Sequence, residues 1–184
     1  MDFKYSFSNN LNARYKNLFN SENLGVYTLS IAIFLLPIIF GHANTFPNQL
    51  FVGTLVNTML AVSALHLTFK KSLPIILLPV IGALASGFIF GSFSLFLVYL
   101  TPFIWLGNAV YVFLIKKLKV INNLNYALSV FASSLIKATT IFSFTFLLVS
   151  FSIVPEIFLV PMGLLQFGTA LLGGLVAGLT IIKK

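Results

Sequence analysis

The chain has 184 residues, of which 59% are hydrophobic and 8% are charged, and its net charge is +8. Soluble domains carry about 25% charged residues, so this composition excludes a soluble globule, a disordered chain and a fibre. The chain has no cysteine, which excludes disulfides, thiolate metal sites, iron–sulfur clusters and cysteine nucleophiles. The composition predicts an integral membrane protein.

The first 23 residues precede any stretch long enough to cross a membrane. Apolar side chains recur there at helical spacing beside Arg14 and Lys16, which favours a short helix lying on the membrane surface. A solvated tail explains the same residues equally well. We predict a cytoplasmic tail or interfacial helix over residues 1–23 and one transmembrane domain over residues 24–184.

Six stretches are apolar over the length that a membrane-spanning helix needs, which is about 20 residues. A polar turn at 41–49 that contains Pro and Gly separates the first two, and Lys70-Lys71 separates the second from the third. The sequence therefore predicts an all-α fold, a bundle of six transmembrane helices. The six stretches cover residues 24–41, 50–69, 73–90, 93–115, 126–151 and 158–182.

Lysine and arginine are distributed unevenly over the ends of these spans. Basic residues near span ends stay in the cytoplasm, so both termini are predicted to be cytoplasmic, and the positive net charge does not indicate nucleic-acid binding. With that topology, ten of the eleven basic residues lie on the cytoplasmic side: Lys4, Arg14, Lys16, Lys70, Lys71, Lys116, Lys117, Lys119, Lys183 and Lys184.

Glycines four residues apart occur in two of the spans. Gly87 and Gly91 have this spacing in and just after the third span, and Gly174 and Gly178 have it in the sixth. Small residues at this spacing let helix backbones approach closely in lipid. Packing within one bundle and docking of a partner protein both explain the pattern.

Few polar side chains fall inside the spans, where such groups tend to face the bundle interior or a water-filled cavity. At about 1.5 Å per residue from the outer end of each span, Asn108 and Lys137 both lie about 21 Å deep and Asn57 about 10 Å. We predict a pocket open to the outer side, floored by Lys137 and Asn108, with Asn48 and Gln49 at its rim. The polar residues within the spans are Asn57, His66, Trp105, Asn108, Tyr111, Lys137 and Gln166.

Lys137 is the one basic residue that this topology does not place near a membrane surface. An interfacial position requires the fifth span to start late, at Ala138, with residues 125–136 forming an interfacial helix. Residues 126–136 carry no charge, which favours a membrane-buried Lys137. His66, one turn before Lys70, is interpreted as an interfacial residue.

Enzyme signatures are absent from the sequence. The three acidic residues, Asp2, Glu22 and Glu156, fall outside the spans, and His42 and His66 lie at opposite ends of one span. Paired-carboxylate catalysis and a shared metal site are therefore not expected. We predict no enzymatic activity, no cofactor and no metal site.

Several segments resemble the substrate-binding S components of energy-coupling factor transporters. They are Pro-Asn-Gln at 47–49 leading into Gly-Thr-Leu-Val-Asn at 53–57, the run 78–87, Pro-Phe-Ile-Trp-Leu-Gly-Asn at 102–108, Ser-Leu-Ile-Lys at 134–137 and the run 166–174. The resemblance covers about residues 24–182. It includes a poorly characterised S-component-like family, some members of which carry an iron-hydrogenase label that a chain without cysteine cannot justify.

The resemblance implies a subunit in the cell membrane of a prokaryote that captures a small water-soluble nutrient, such as a vitamin, in the outer half of the bundle. Its partners would be the solute, membrane lipid, a transmembrane coupling protein and two cytoplasmic ATPases, all as separate chains. Carried over by position, the implied substrate contacts are Asn48, Gln49, Asn57, Trp105, Asn108, Lys137 and Gln166.

S components dock the coupling protein through two alanines four residues apart in the first span. At that spacing this chain has Thr28 and Ala32, which are the implied docking pair. Nickel and cobalt S components carry a histidine after the initiator methionine, where this chain has Asp2, so a transition metal is not the expected substrate. The alternative function is a structural or assembly membrane protein that binds no small molecule.

Overall fold

The computed structural model describes residues 21–40, 46–87 and 91–182, and within these ranges the chain is helical without any strand. Almost all of the tail or interfacial helix predicted over residues 1–23 lies outside the described residues. The first described helix begins at Ser21, so the last residues of that predicted segment already belong to the bundle.

Six helices are long and apolar enough to cross a membrane, which confirms the predicted number of spans. We call them α1 to α6: Ser21–Phe40, Phe46–His66, Phe69–Ser86, Leu97–Ile115, Tyr126–Ser150 and Gln166–Ala177. Shorter helical turns extend two of the spans: Gly91–Phe96 and Lys116–Ile121 around α4, Glu156–Phe158 and Pro161–Leu165 before α6, and Leu179–Ile182 after it.

Helices α2 and α3, like α1, begin earlier than the sequence predicts. Helix α2 begins at Phe46, so residues expected to form a loop are its first turn. Pro47 is tolerated there because the first N–H groups of a helix have no partner within it. Helix α3 begins at Phe69 and is capped by Thr68, whose Oγ1 accepts a 3.4 Å hydrogen bond from the Lys71 backbone N–H.

Glycines allow the closest helix approaches in the bundle. The most extensive pairings join α2 with α6, α1 with α3, and α4 with α5. A Cβ atom at Gly82 would lie 2.2 Å from the carbonyl oxygen of Phe34 on α1, and one at Gly173 would lie 2.6 Å from that of Thr54 on α2. Any side chain at these two positions would push the paired helices apart.

The two glycine pairs at four-residue spacing lie in different structural settings. A Cβ at Gly174 would meet the side chain of Val130, and one at Gly178 would meet the ring of Tyr126, so this pair packs within the bundle. Gly87 ends α3 with a φ of 66°, and Gly91 begins a separate turn. Gly87 and Gly91 therefore do not lie on one helix, and the predicted helix packing of this pair within the bundle is wrong.

The apolar core is divided into two clusters by a polar layer. Along α4, Ile104 belongs to one cluster and Tyr111 to the other, and Asn108 lies between them. Along α3, Ile76 and Val80 mark the same division. The candidate site lies in this polar layer.

Candidate functional site

Lys137 lies in the middle of α5 with 1% of its surface exposed. Because α5 begins at Tyr126, the alternative in which the fifth span starts late and leaves Lys137 at an interface is wrong. A charged side chain in a membrane interior is costly and faces the bundle or a cavity. Lys137 is thus a lysine buried in the interior of the bundle.

The neighbours of the Lys137 ammonium are an amide oxygen and an aromatic face. Lys137 Nζ donates a 2.5 Å hydrogen bond to Asn57 Oδ1 on α2. The same Nζ lies 5.2 Å from the ring centroid of Tyr111 on α4, a distance at which the ring quadrupole attracts a cation. Asn57 and Tyr111 are both buried, so three helices meet at this cation.

The Asn57 amide has its oxygen directed at Lys137 by its other hydrogen bonds. Its Nδ2 donates to the Gly53 carbonyl at 2.8 Å and to Thr169 Oγ1 at 3.1 Å. Thr169 Oγ1 in turn donates to the Leu165 carbonyl at 2.7 Å. Since both amide hydrogens are used, Oδ1 is the group left for the lysine.

The helix starts place Asn57 and Lys137 at a common level in the bundle, which the depths estimated from the sequence do not predict. Because α2 begins at Phe46, Asn57 lies about 17 Å along its helix, and Lys137 lies about 20 Å from the end of α5. The two side chains are therefore at nearly one level. The expected 10 Å depth of Asn57 hid this pairing.

Trp105 and Asn108 donate to the backbone of α3. Asn108 Nδ2 bonds the Ile76 carbonyl at 3.2 Å, and Trp105 Nε1 bonds the Leu77 carbonyl at 3.0 Å. Both carbonyls lie in the turn that precedes Pro79, whereas the carbonyl that loses its helical donor at Pro79 is that of Ile75, four residues earlier. The two side-chain bonds therefore join α4 to α3 and do not repair the break at the proline.

A partly enclosed cavity of about 150 Å³ adjoins the polar layer. Apolar side chains from α1 to α4 and the turn before α6 form most of its wall. The polar residues that line it are Gln49, Asn57, Asn108, Lys137, Gln166 and Thr169.

The cavity lies in the half of the bundle away from the lysines at the helix ends. Pro37 near the end of α1, Gln49 at the start of α2 and Ala83 near the end of α3 all line it. Pro79 and Pro161 line it too, and Pro161 opens the π-helical turn before α6. Irregular backbone at membrane depth is tolerated where it lines a cavity, and π-turns are frequent at functional sites.

Comparisons with protein-family models, with curated proteins and with solved structures find no match. The function of the chain is therefore inferred from its own residues.

The structure gathers most of the residues singled out in the sequence. Gln49, Asn57, Asn108, Lys137 and Gln166 line the one cavity described above. Their binding of a solute remains a prediction.

Two of the proposed contacts stand apart. The Trp105 ring nitrogen is engaged by α3, and Trp105 is not among the lining residues. The Asn48 side chain lies outside the described residues, and its backbone belongs to the first turn of α2 rather than to a loop.

Sequence reasoning missed the roles of Thr169 and Tyr111. Thr169 orients Asn57, and Tyr111 supports the ammonium while its Oη donates to the Ala170 carbonyl at 2.7 Å. The available signal for Thr169 was its position three residues after Gln166, which puts both on one helix face.

The remaining candidates lie elsewhere. Thr28 is exposed on α1, where its Oγ1 bonds the Leu24 carbonyl at 2.9 Å, and Ala32 is half-buried. Their docking role remains a prediction. His66 Nε2 lies 3.0 Å from Thr180 Oγ1 near the other end of the bundle. Among the described residues, no three His, Asp or Glu side chains are grouped as a metal site requires.

Proposed function

We propose that this chain is the membrane-embedded substrate-binding subunit of an energy-coupling-factor-type nutrient transporter. The observation that carries the proposal is a largely apolar cavity into which several polar side chains converge, in an otherwise apolar helix bundle. Ligand sites combine mostly apolar walls with a few convergent polar groups. The cavity has this character, with Lys137 and Asn57 at the level of the bundle midpoint.

The proposed membrane position is supported by the outer surface of the bundle. Large apolar side chains point outward along the helices, including Ile31 at 61% and Leu164 at 72% exposure. The lysines at one set of helix ends favour a cytoplasmic location for those ends. The cavity would then face the outside of a prokaryotic cell, where a scarce nutrient must be captured.

Energy for uptake would come from other chains. In the proposed assembly a transmembrane coupling protein and two cytoplasmic ATPases act with this subunit, and Thr28 and Ala32 on α1 form the docking pair. Thr28 is exposed, so a partner helix can reach it.

The cavity limits the size of the solute. A cavity of about 150 Å³ holds a molecule near the size of benzene. We expect a solute of about six to nine non-hydrogen atoms to fit this state. A larger vitamin would require the helices that line the cavity to separate.

Native mass spectrometry of the full chain in mild detergent tests the proposal. We expect a co-purifying small molecule, lost in Ala83→Leu because the added carbons fill the cavity that Ala83 lines. Ala127→Leu is the matched control, since Ala127 is exposed on α5 and does not line the cavity. An empty wild-type chain, or equal occupancy in Ala83→Leu, would contradict the proposal.

A second candidate function is a structural membrane protein without a ligand. The observation that favours it is the use of Trp105, Asn108 and Tyr111 as donors to the backbones of neighbouring helices. Such bonds hold helices together without any solute. This candidate predicts that neither the wild-type chain nor Ala83→Leu carries a bound small molecule.

A further inference from the structure

In its protonated form Lys137 brings a positive charge to the cavity, and the described part of the cavity lining brings no negative one. None of the described residues lining the cavity is acidic. Among the described residues, Lys137 Nζ has one hydrogen-bond acceptor, the neutral Asn57 amide, besides the face of Tyr111. Neither neighbour carries a charge that cancels that of the ammonium.

A buried charge without a counter-charge is expensive. Burying an isolated ion removes its hydration, and the protein recovers only part of that loss by relaxing around it. A single hydrogen bond to an amide oxygen and a contact with an aromatic face replace only part of the lost hydration. An anion placed beside Nζ would offset much of the remainder. The unfavourable free energy of the buried charge is thus relieved when an anion binds, and this relief favours binding.

The geometry leaves the cavity side of the ammonium for that anion. Tyr111 covers one side of Nζ and Asn57 another, while Lys137 itself lines the cavity. An ammonium has three donors, of which the Asn57 amide uses one. An oxygen atom in the cavity can accept from the donors that remain.

We infer that the ligand of this cavity is a small monoanion, a carboxylate of up to about nine non-hydrogen atoms, bound through Lys137 Nζ. The inference rests on the proposed function, because it names the class of solute for the same cavity. One lysine matches one negative charge, and a dianion would leave an excess charge among apolar walls. The amides of Asn108 and Gln166 line the same cavity and can bond the rest of the ligand.

Pairs of probes that differ only in charge test the inference. Benzoate is compared with benzamide, and butyrate with butyramide, by calorimetry on the purified full chain in lipid nanodiscs at constant ionic strength. We expect each acid to bind at least tenfold more tightly than its amide. Equal binding within the pairs, tighter binding of the amides, or failure of both acids to bind overturns the inference.

Variants assign the preference to Lys137. We expect Lys137→Met to abolish the preference for the acid and Lys137→Arg to retain it. Lys70→Met is the matched control, because Lys70 is exposed at the far ends of the helices, and it should behave as wild type. A preference that survives in folded Lys137→Met overturns the inference.

Asn57→Asp keeps the test informative if Lys137→Met does not fold. The new carboxylate would lie where Asn57 Oδ1 now accepts from Nζ and would supply a counter-charge within the protein. The Thr169 hydroxyl, now accepting from Asn57, can rotate to donate to the carboxylate, whereas the Gly53 carbonyl loses the donor that it has in Nδ2. We expect this variant to remain folded and to bind acid and amide alike. Persistence of the preference for the acid would overturn the inference.

The experiments distinguish failure of the anion inference from failure of the proposed function. A neutral or cationic molecule that co-purifies in the cavity overturns the anion inference and leaves the transporter subunit in place. A chain that holds no molecule and binds neither probe of either pair overturns both.

Discussion

Lys137 Nζ and Asn57 Oδ1 lie 2.5 Å apart although the two residues are separated by 80 positions in the chain. Their helices, α5 and α2, are not close packing neighbours in the bundle, so the long lysine side chain reaches across the interior. Thr169 on α6 and Tyr111 on α4 complete the contacts. Lys137 therefore joins α2, α4 and α5 beside the cavity, and Asn57 adds α6 through its bond to Thr169.

Removing the acceptor should be more damaging than removing the lysine. Asn57→Ala leaves a buried ammonium without its hydrogen-bond acceptor, at a cost of about 1.5–3 kcal/mol. Lys137→Met removes the charge together with its desolvation cost but leaves the neutral Asn57 Oδ1 without its donor, so it should be destabilising, though less so than Asn57→Ala. The measurement is the apparent Tm in detergent, lower for Asn57→Ala than for Lys137→Met.

The control for this pair is Asn122→Ala, an asparagine exposed beyond the end of α4, which should leave the Tm unchanged. If Lys137→Met unfolds at a lower temperature than Asn57→Ala, the lysine stabilises the bundle. Its burial then supplies no free energy for ligand binding.

The six helices could be predicted from the sequence because each is an uninterrupted apolar run, whereas two of their starts could not. Polar residues and Pro47 made 41–49 read as a loop, yet the chain is already helical at Phe46. A proline costs little in the first turn of a helix. Lys71 likewise predicts a break between two spans. The aliphatic part of a lysine side chain can nevertheless pack along apolar surface while its charge reaches water. Thr68 is the N-cap of α3, three residues before Lys71.

The candidate site could be predicted as a set of residues but not as a set of contacts. The scarcity of polar side chains in the spans singled out Asn57, Asn108 and Lys137, and all three line the cavity. Which of them pair depends on helix starts and on which helices face each other. Asn108 was expected beside Lys137, but its amide donates to the Ile76 carbonyl on α3. The ring N–H of Trp105 donates to the backbone of the same helix.

Gly173 should be essential for the approach of α6 to α2. A Cβ there would lie 2.6 Å from the Thr54 carbonyl oxygen and 2.7 Å from the Thr58 backbone nitrogen. Backbone atoms cannot rotate away, so Gly173→Ala should cost about 1–3 kcal/mol and lower the apparent Tm. Because the separation also strains the Asn57 to Thr169 bond, binding in the cavity should weaken.

Gly168→Ala on the same helix is the matched control. No atom lies within 4 Å of a Cβ built at Gly168, and alanine favours helix over glycine by up to about 1 kcal/mol. We expect its Tm to be unchanged or slightly raised. A Tm for Gly173→Ala equal to that of Gly168→Ala would show that the pairing of α2 with α6 is looser than the structure indicates.

Tyr111→Phe should separate the two roles of Tyr111. The variant loses the 2.7 Å hydrogen bond from Oη to the Ala170 carbonyl, which should lower stability by about 0.5–1.5 kcal/mol. It keeps the ring beside Lys137 Nζ, so the tighter binding of benzoate over benzamide should persist. Tyr27→Phe, at a half-exposed tyrosine on α1, should change neither quantity. Loss of the preference in Tyr111→Phe would assign a binding role to the hydroxyl instead of the ring.

The orientation of the bundle can be measured directly because the chain contains no cysteine. Each introduced cysteine is then the only thiol in the protein. Ser152→Cys lies in the exposed turn after α5, and Asn122→Cys lies in the exposed turn after the lysine-rich end of α4. A membrane-impermeant maleimide should label Ser152→Cys on intact cells.

Asn122→Cys should be labelled only after the membrane is permeabilised, since basic span ends stay in the cytoplasm. This pattern would place the cavity end of the bundle outside the cell, as capture of an external nutrient requires. The reverse pattern would make the cavity accessible from the cytoplasm. Uptake would then be untenable, while the charge pairing at Lys137, which depends only on the interior of the bundle, would be unaffected.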